Sequence, residues 1–484
     1  MDDARRKRIE SHRASVVQDS DGKLHTEIQL INILDGARTK KNKLVSVVPK
    51  LTETVSSFKD VPHLFADLSH LNAMLTNACN LSCSYCYEQH NKDFGRFTVD
   101  SLKKTYDWLV NVNDVPKKCF QFFGGEPLIH KKLIREFIEE HDKELEANYD
   151  NFSGTFVSMC TNGLLADDDF IDFYFSKPYT HLMLSLDTFD SAIDYREITP
   201  TQMDKLIVIM GKILAKLGDE PQRLVIRCTL SEETSGTMRD FIEKLYAIGV
   251  RSLIVHPLIL DSRRGYIRWS DNNWNNMREG IFDALTKYRD LIIKFSEGVG
   301  QKDSNNCMVG SDMIAIDASG DFSGCYFFTN QKASAVADAV LGNVFEDRIY
   351  VDRYAAFQAE YNKMFETEEK CKTCDLHNFC YQCPAGNLDT GSKKMFRPDD
   401  MCQEVVKLFL DFQTDVYNKM FWRNVNIHME SYSKEYSSQV MSDLGYDPKL
   451  TPKENYELNN SPIVLEGEEN FIQCFFIQTL IMTE

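Results

Sequence analysis

The stretch Cys79-Asn80-Leu81-Ser82-Cys83-Ser84-Tyr85-Cys86 carries three thiols at the spacing C-x3-C-x2-C. They converge only if the backbone wraps around a single point, and thiolates gathered that closely repel one another unless a metal or cluster takes up their charge. Three protein ligands suit a [4Fe–4S] cluster with one iron left for something else. A structural zinc ion wants four protein ligands, and no fourth stands nearby. A disulfide is disfavoured, because the chain shows no secretory signal. The spacing therefore favours an iron–sulfur cluster over zinc.

At 484 residues the chain is too long for one ordinary core, so two or more domains or a large barrel are expected. The 55 Lys and Arg against 73 Asp and Glu give a net charge of −18, which disfavours binding to nucleic acid or an anionic membrane. No apolar run approaches the ~20 residues of a membrane span. The basic cluster Arg5-Arg6-Lys7-Arg8 is not followed by an apolar segment, so no signal peptide is read and a cytoplasmic location is expected.

Between residues 68 and 258 strand-like runs at 71–76, 119–123, 155–161, 182–187, 224–230 and 253–257 alternate with helix-like segments at 99–110, 131–146, 167–175, 202–217 and 237–248. Short apolar strands alternating with amphipathic helices imply an α/β fold with a parallel sheet. Six such units suit a partial (β/α)6 TIM-like barrel. Ligands in such folds sit at the carboxyl ends of strands, and polar turns stand there. After the second strand comes Gly124-Gly125-Glu126-Pro127, where two glycines permit close backbone approach to a ligand and one carboxylate offers a partner for an ammonium group. Thr161-Asn162-Gly163 follows the third strand, and Ser185 and Asp187 end the fourth, with Arg196 beyond. Arg227 and His256 have an ambiguous face by period-two alternation.

A helical bridge is expected over 274–297, before a second cysteine-rich region. Cys307, Gly320 and Cys325 form C-x12-G-x4-C, with Asp317-Ala318-Ser319-Gly320-Asp321 as a hairpin turn and another turn beginning at Gly342-Asn343. Cys371-x2-Cys374-x5-Cys380-x2-Cys383 and Cys402 follow. Such pairs equally support a zinc-ribbon-like module. Cys119, Cys160 and Cys228 lie in apolar strands and read as small core hydrophobes, as does Cys474 in the apolar tail. Residues 404–421 carry a helical apolar stripe, and 430–470 are polar. Residues 1–67 read as an N-terminal extension or accessory subdomain.

Residues Leu75 to Tyr87, around the three thiols, resemble the signature loop of radical S-adenosylmethionine (SAM) enzymes. The resemblance implies that the open iron chelates the amino and carboxylate groups of SAM and that Tyr85 lies near the adenine. It implies a SAM-amino motif at Gly124, Gly125 and Glu126, and further SAM contacts at Thr161, Asn162, Ser185 and Arg196. The Ser185–Arg196 spacing matches only approximately, and Thr188 stands where relatives have glycine. The seven later cysteines resemble the SPASM domain, which carries two auxiliary [4Fe–4S] clusters, making three in all. By that likeness Cys371, Cys374, Cys380 and Cys402 close one cluster. Cys307, Cys325 and Cys383 hold the other, nearer the barrel mouth, with an open iron. The pair Cys380 and Cys383 is C-x2-C where the family writes C-x3-C, which weakens the assignment of Cys383. The expected domains are residues 1–67, a radical SAM partial barrel at 68–298, SPASM at 299–403, and a C-terminal helix and tail at 404–484.

The activity implied is reductive cleavage of SAM to a 5′-deoxyadenosyl radical that takes hydrogen from a peptide or protein side chain. The product would be a cross-link, for instance a thioether, or an oxidised residue. A low-potential donor such as flavodoxin or ferredoxin would supply the electron. Three alternatives stand: a non-peptide small-molecule substrate, formylglycine formation of the sulfatase-maturation type, and a non-enzymatic cysteine-rich scaffold. The second is weakened because Tyr326 stands where those relatives carry aspartate. The Gly-Gly-Glu-Pro turn argues against the third.

Overall fold

The computed structural model describes residues 57–86, 95–149, 154–258, 269–288, 290–295, 310, 312–329 and 340–356. It also describes short strand segments at 15–18, 24–27, 260–261, 265–266, 388–389 and 394–395. Six strands form where the apolar runs are short and bounded by turns: β1 (His70–Thr76), β2 (Lys117–Gly124), β3 (Gly154–Thr161), β4 (Thr180–Ser185), β5 (Leu224–Leu230) and β6 (Ser252–Pro257). Each pairs in parallel with the next. The crossovers are α1 (Val99–Asn111), α2 (Lys131–Ala147), α3 (Asp168–Tyr174), α4 (Pro200–Leu217) and α5 (Met238–Ile248).

Local chemistry sets the helix ends. Thr98 and Thr199 close capping boxes with Ser101 and Gln202, and Pro200 occupies the first turn of α4. Asp167 caps α3 through Phe170 N–H, and Gly249 ends α5 at φ +115°. Along β4 to β6 the residues Leu182, Leu184, Leu224, Ile226, Cys228, Leu230, Leu253 and Val255 are buried in the main core. Their alternates occupy the opposite face, the barrel interior.

The expected six units gain a strand on each side. The bridge read as helical over 274–297 is instead α6 (Asp271–Lys287) followed by β7 (Ile292–Phe295), parallel to β6. The β-branched pair Ile292-Ile293, at the start of a short apolar run, favours a strand there. At the other edge β8 (Met313–Ile316) pairs in parallel with β1. The order is β7-β6-β5-β4-β3-β2-β1-β8, continuing antiparallel through β9 (Asp321–Ser323), β10 (Gly342–Asn343) and β11 (Arg348–Ile349). The first part of the second cysteine-rich region is thus continuous with the barrel sheet. Gly342-Asn343 is itself strand and leads into the turn that follows. In the β8–β9 turn Asp317 Oδ1 accepts from Ser319 N (2.9 Å) and Asp321 N (3.2 Å), and Gly320 has φ +87°.

Phe58, Phe65, Trp108 and Phe322 pack ring against ring, at centroid distances of 5.0 Å (Phe58–Trp108) to 6.4 Å (Trp108–Phe322). They pin the segment before β1, helix α1 and strand β9 together. Two units are distinguished in the chain. Met1–Leu51 with Trp422–Gly467 forms one, in which Ser15–Gln18 and Leu24–Glu27 pair as an antiparallel hairpin. Thr52–Phe421 with Glu468–Glu484 forms the other, which holds the barrel. The striped segment 404–421, the polar stretch 430–470 and Cys474 lie outside the described residues. Among the described residues no helix is long and apolar enough to cross a membrane. Removing the fully buried ring in Phe322→Ala should cost about 3–5 kcal/mol, read as a lowered urea midpoint; an unchanged midpoint would show that β9 does not anchor the barrel edge.

Candidate functional site

The carboxyl ends of β1 and β2 are joined by backbone. Gly125 N–H donates to Thr76 O (2.6 Å) and Glu126 N–H donates to Ala78 O (2.9 Å). A Cβ on Gly124 would lie 2.2 Å from Thr76 O, and one on Gly125 would lie 2.4 Å from Ala78 O. Gly124 also has φ +117°, where side chains are disfavoured. These glycines therefore allow a close approach to the root of the cysteine loop.

Glu126 is 0% exposed. Its Oε1 accepts from Leu128 N (2.9 Å) and Thr161 Oγ1 (2.6 Å), and its Oε2 accepts from Asn162 N (2.7 Å). A carboxylate has about four acceptor sites, so Oε2 keeps room for one more donor. Burial pushes the Glu126 pKa up, and the three hydrogen bonds and Arg196 oppose it. Asn162 Nδ2 reaches back to Asn80 Oδ1 (2.8 Å) and Cys79 Sγ (3.8 Å). Thr161 and Asn162 thus serve Glu126 and the cysteine loop.

On the loop Cys79 is exposed, Cys83 buried and Cys86 intermediate. Burial pushes the Cys83 thiol up to about 11 and raises Cys79 as well, so these sulfurs need a cationic partner to be thiolates at neutral pH. Among the described residues no three His, Cys, Asp or Glu side chains gather tightly enough to hold a single ion. Thiolates on a [4Fe–4S] cube each take a different iron, so one loop of three spaced thiols suits a cluster better than zinc. Buried polar atoms without a partner among the described residues line the same region: Asn77 Nδ2, Ser84 Oγ, Asp194 Oδ2 and Arg196 Nε. A polar ligand beside the cluster fits such a lining.

The far side of the loop leans on the end of β4. Ser84 N donates to Tyr195 O (2.8 Å), and Tyr85 Oη donates to Asp187 Oδ2 (2.5 Å). Arg196 Nη1 approaches Tyr85 Oη at 3.4 Å. Arg196 is 7% exposed and is turned inward beside Glu197, whose φ of +58° is unusual for a non-glycine residue. Asp194 Oδ1 accepts from Arg196 N (2.8 Å), and burial, then the charge of Asp187, lift the Asp194 pKa to about 6. Neither Asp187 nor Asp194 stood among the expected site residues. Asp187 was visible as the strand-ending carboxylate, but its partner Tyr85 is 102 residues away.

Ser185 pairs in register with Arg227, and Thr229 with His256, so these residues line the barrel interior. Met74, Phe123 and Ala315 form an apolar cluster separate from the main core, with Cys160 and Tyr326 against it. The Phe123 and Tyr326 rings lie 4.8 Å apart, and Cys160 Sγ is 3.8 Å from Ser185 Oγ. Cys119 and Cys228 are core residues as expected, but Cys160 is only partly buried and belongs to this inner cluster. The ambiguity of period-two alternation hid that face. Strand β9 runs antiparallel to β8, and Gly310 N donates to both Met313 O and Gly324 O. Cys325 therefore lies beside the amino-terminal end of β8. Cys307, Cys371, Cys374, Cys380, Cys383 and Cys402 lie outside the described residues.

The chain matches the radical SAM superfamily over residues 74–244 and the SPASM iron–sulfur cluster-binding domain over residues 307–375. It is 27% identical over 189 residues to an uncharacterised protein of Methanocaldococcus jannaschii, covering 38% of this chain and 61% of that protein. It thus spans about three-fifths of that relative's length. A serine-type anaerobic sulfatase-maturating enzyme of Klebsiella aerogenes is 22% identical over 389 residues, 73% of this chain and 89% of that one. Among solved structures, Streptococcus suis SuiB bound to S-adenosylmethionine, and again bound to precursor peptide SuiA, superposes with a TM-score of 0.54. The identities are 16% and 15%, over 78% of this chain and 84% of that one, which establishes likeness of fold.

Because Asp194 titrates near 6 in the folded chain against an ordinary 3.8, its stabilising contribution is complete below the lower value and is lost as pH rises through the upper one. Asp194→Asn should remove that loss, making ligand-free protein more stable than wild type at about pH 8 by on the order of 1–3 kcal/mol, but not at about pH 4. Denaturation midpoints that shift equally at both pH values would contradict this.

Proposed function

We propose that this chain, which carries a radical SAM domain followed by a SPASM iron–sulfur domain, is a peptide- or protein-modifying radical enzyme. The observation that carries the reading is the fastening of the Cys79–Cys86 loop to the Glu126 turn at the carboxyl end of a parallel sheet. Cys79, Cys83 and Cys86 would hold a [4Fe–4S] cluster with one iron open to SAM. Cluster and SAM together supply the one-electron chemistry that yields methionine and a 5′-deoxyadenosyl radical able to take hydrogen from a C–H bond.

The chain's own residues do the positioning. Glu126 presents its remaining acceptor site to the SAM ammonium, held in place by Thr161 Oγ1 and by Asn162 and Leu128 N–H. Arg196 offers Nε to an anionic or carbonyl group of the ligand, and Tyr85 offers its ring. Ser185 lines the interior beside Arg227. Met74, Phe123, Ala315 and Tyr326 keep one wall of the interior apolar, which protects a reactive carbon radical from water.

A peptide or protein substrate is supported by the relatives: SuiB was solved with a precursor peptide, and the Klebsiella enzyme matures a sulfatase. Formylglycine formation is disfavoured because Tyr326, packed at a tilt against Phe123, occupies the place of the expected aspartate. Seven cysteines, Cys307, Cys325, Cys371, Cys374, Cys380, Cys383 and Cys402, would serve two auxiliary clusters that need eight ligands when both are closed. The open position on the Cys325 cluster would hold a substrate thiolate; after the deoxyadenosyl radical takes hydrogen from a substrate C–H bond, sulfur joining that carbon would give a thioether, the released electron going to the cluster. We further propose the division 1–67, 68–298, 299–403 and 404–484, a cytoplasmic location, and a flavodoxin or ferredoxin as electron donor.

Replacing Cys79, Cys83 and Cys86 together by Ala should remove about a third of the iron bound on anaerobic reconstitution and all 5′-deoxyadenosine formation; continued SAM cleavage would overturn the assignment. Glu126→Ala should retain the iron but weaken SAM binding about 10- to 100-fold, the worth of a charge-assisted hydrogen bond. An unchanged SAM dissociation constant would mean that the carboxylate serves only the fold.

A further inference from the structure

We infer that Asp187 is a positioning residue that fixes the carboxyl end of the cysteine loop through Tyr85, an inference resting on the radical SAM reading of that loop. The two ends of the loop are held differently. Its beginning is bonded by backbone to Gly125 and Glu126. Near its end lie Ser84 N to Tyr195 O (2.8 Å), Cys86 N to Cys83 O (3.1 Å) and the Tyr85–Asp187 bond of 2.5 Å. Tyr85 stands between Ser84 and Cys86, so the direction of its ring is tied to the placement of the third thiol.

Asp187 is the rigid member of the pair. It is 3% exposed, its Oδ1 accepts from Thr229 N (2.8 Å), and its carbonyl accepts from Cys228 Sγ (3.3 Å). Side chain and backbone are thus both fastened to β5. A buried carboxylate is costly unless its acceptor sites are filled. Here Thr229 fills one oxygen and Tyr85 the other, with Arg196 beside them. The Tyr85 hydroxyl is committed to the protein, which leaves the ring face as the part available to a ligand. Phenylalanine at 85 would supply the same face, so the hydroxyl is explained by the bond to Asp187.

Four variants of full-length, anaerobically reconstituted protein test this: Tyr85→Phe, Asp187→Ala, their double, and Asp187→Asn. The expected result is that Tyr85→Phe and Asp187→Ala each weaken SAM binding about ten-fold, with the double no weaker than either single, as one shared interaction requires. Both singles should also change the electron paramagnetic resonance spectrum of the reduced cluster with SAM, while iron content is kept. Asp187→Asn can turn its amide to the Tyr85 oxygen and its carbonyl to Thr229, so it should stay within about three-fold of wild type. Lowered melting temperatures with unchanged SAM affinity and spectrum would mean that Asp187 only stabilises the core, and so would additive losses in the double. Should Asp187→Ala fail to fold, Tyr85→Phe decides alone: unchanged affinity and spectrum overturn the inference. A wild-type protein that binds no iron and forms no 5′-deoxyadenosine would instead sink the radical SAM reading.

Discussion

Two backbone hydrogen bonds, Gly125 N–H to Thr76 O and Glu126 N–H to Ala78 O, hold the site together. They require backbone so close that neither glycine tolerates a Cβ. Their effect is to make the cysteine loop and the Glu126 turn one piece. Thr161 and Asn162 bind both oxygens of Glu126, and Asn162 also touches Asn80 and Cys79, so three strand ends share one polar hub. Burying a carboxylate is unfavourable unless its acceptors are filled. Three are filled by the protein, which leaves a strong, pre-aimed acceptor for a cationic ligand group.

The opposite wall is built by a second buried carboxylate, Asp187, reached through the Tyr85 side chain. Between the two walls the barrel interior is mixed, because β1, β2 and β3 place the hydrogen-bonded Asn72, Gln121 and Ser158 on the same face as Met74, Phe123 and Cys160. Strands β8, β1, β2 and β3 contribute Ala315, Met74, Phe123 and Cys160, whereas β4, β5 and β6 contribute Ser185, Arg227, Thr229 and His256. Cys325 follows β9, which runs antiparallel to β8, and the neighbouring Tyr326 ring packs on Phe123.

Much of this was legible in the chain. The six parallel strands follow from short apolar runs between amphipathic segments, and the cysteine loop from its spacing alone. Strand β7 was not, because Leu291–Phe295 continues an apolar pattern that a helix also satisfies, and only pairing with Ile254 and its neighbours makes it a strand. Pairing of β8 with β1 joins residues more than two hundred positions apart, which no local pattern encodes. Residue types identified Gly124, Gly125, Thr161 and Asn162 as important, while the protein atoms they also contact lie too far along the chain for a local pattern to name. Asp187 was in plain view without its partner, and Cys160 could not be assigned a face by alternation.

That Cys79, Cys83 and Cys86 hold a cluster whose open iron takes SAM is open to spectroscopic test. Electron–nuclear double resonance on the reduced, reconstituted protein with SAM labelled at its amino nitrogen and carboxylate tests it most directly. Hyperfine coupling from both labels to the reduced cluster is expected, needing more SAM in Glu126→Ala and lost when the three thiols are removed. A cluster signal with no coupling to either label would contradict it.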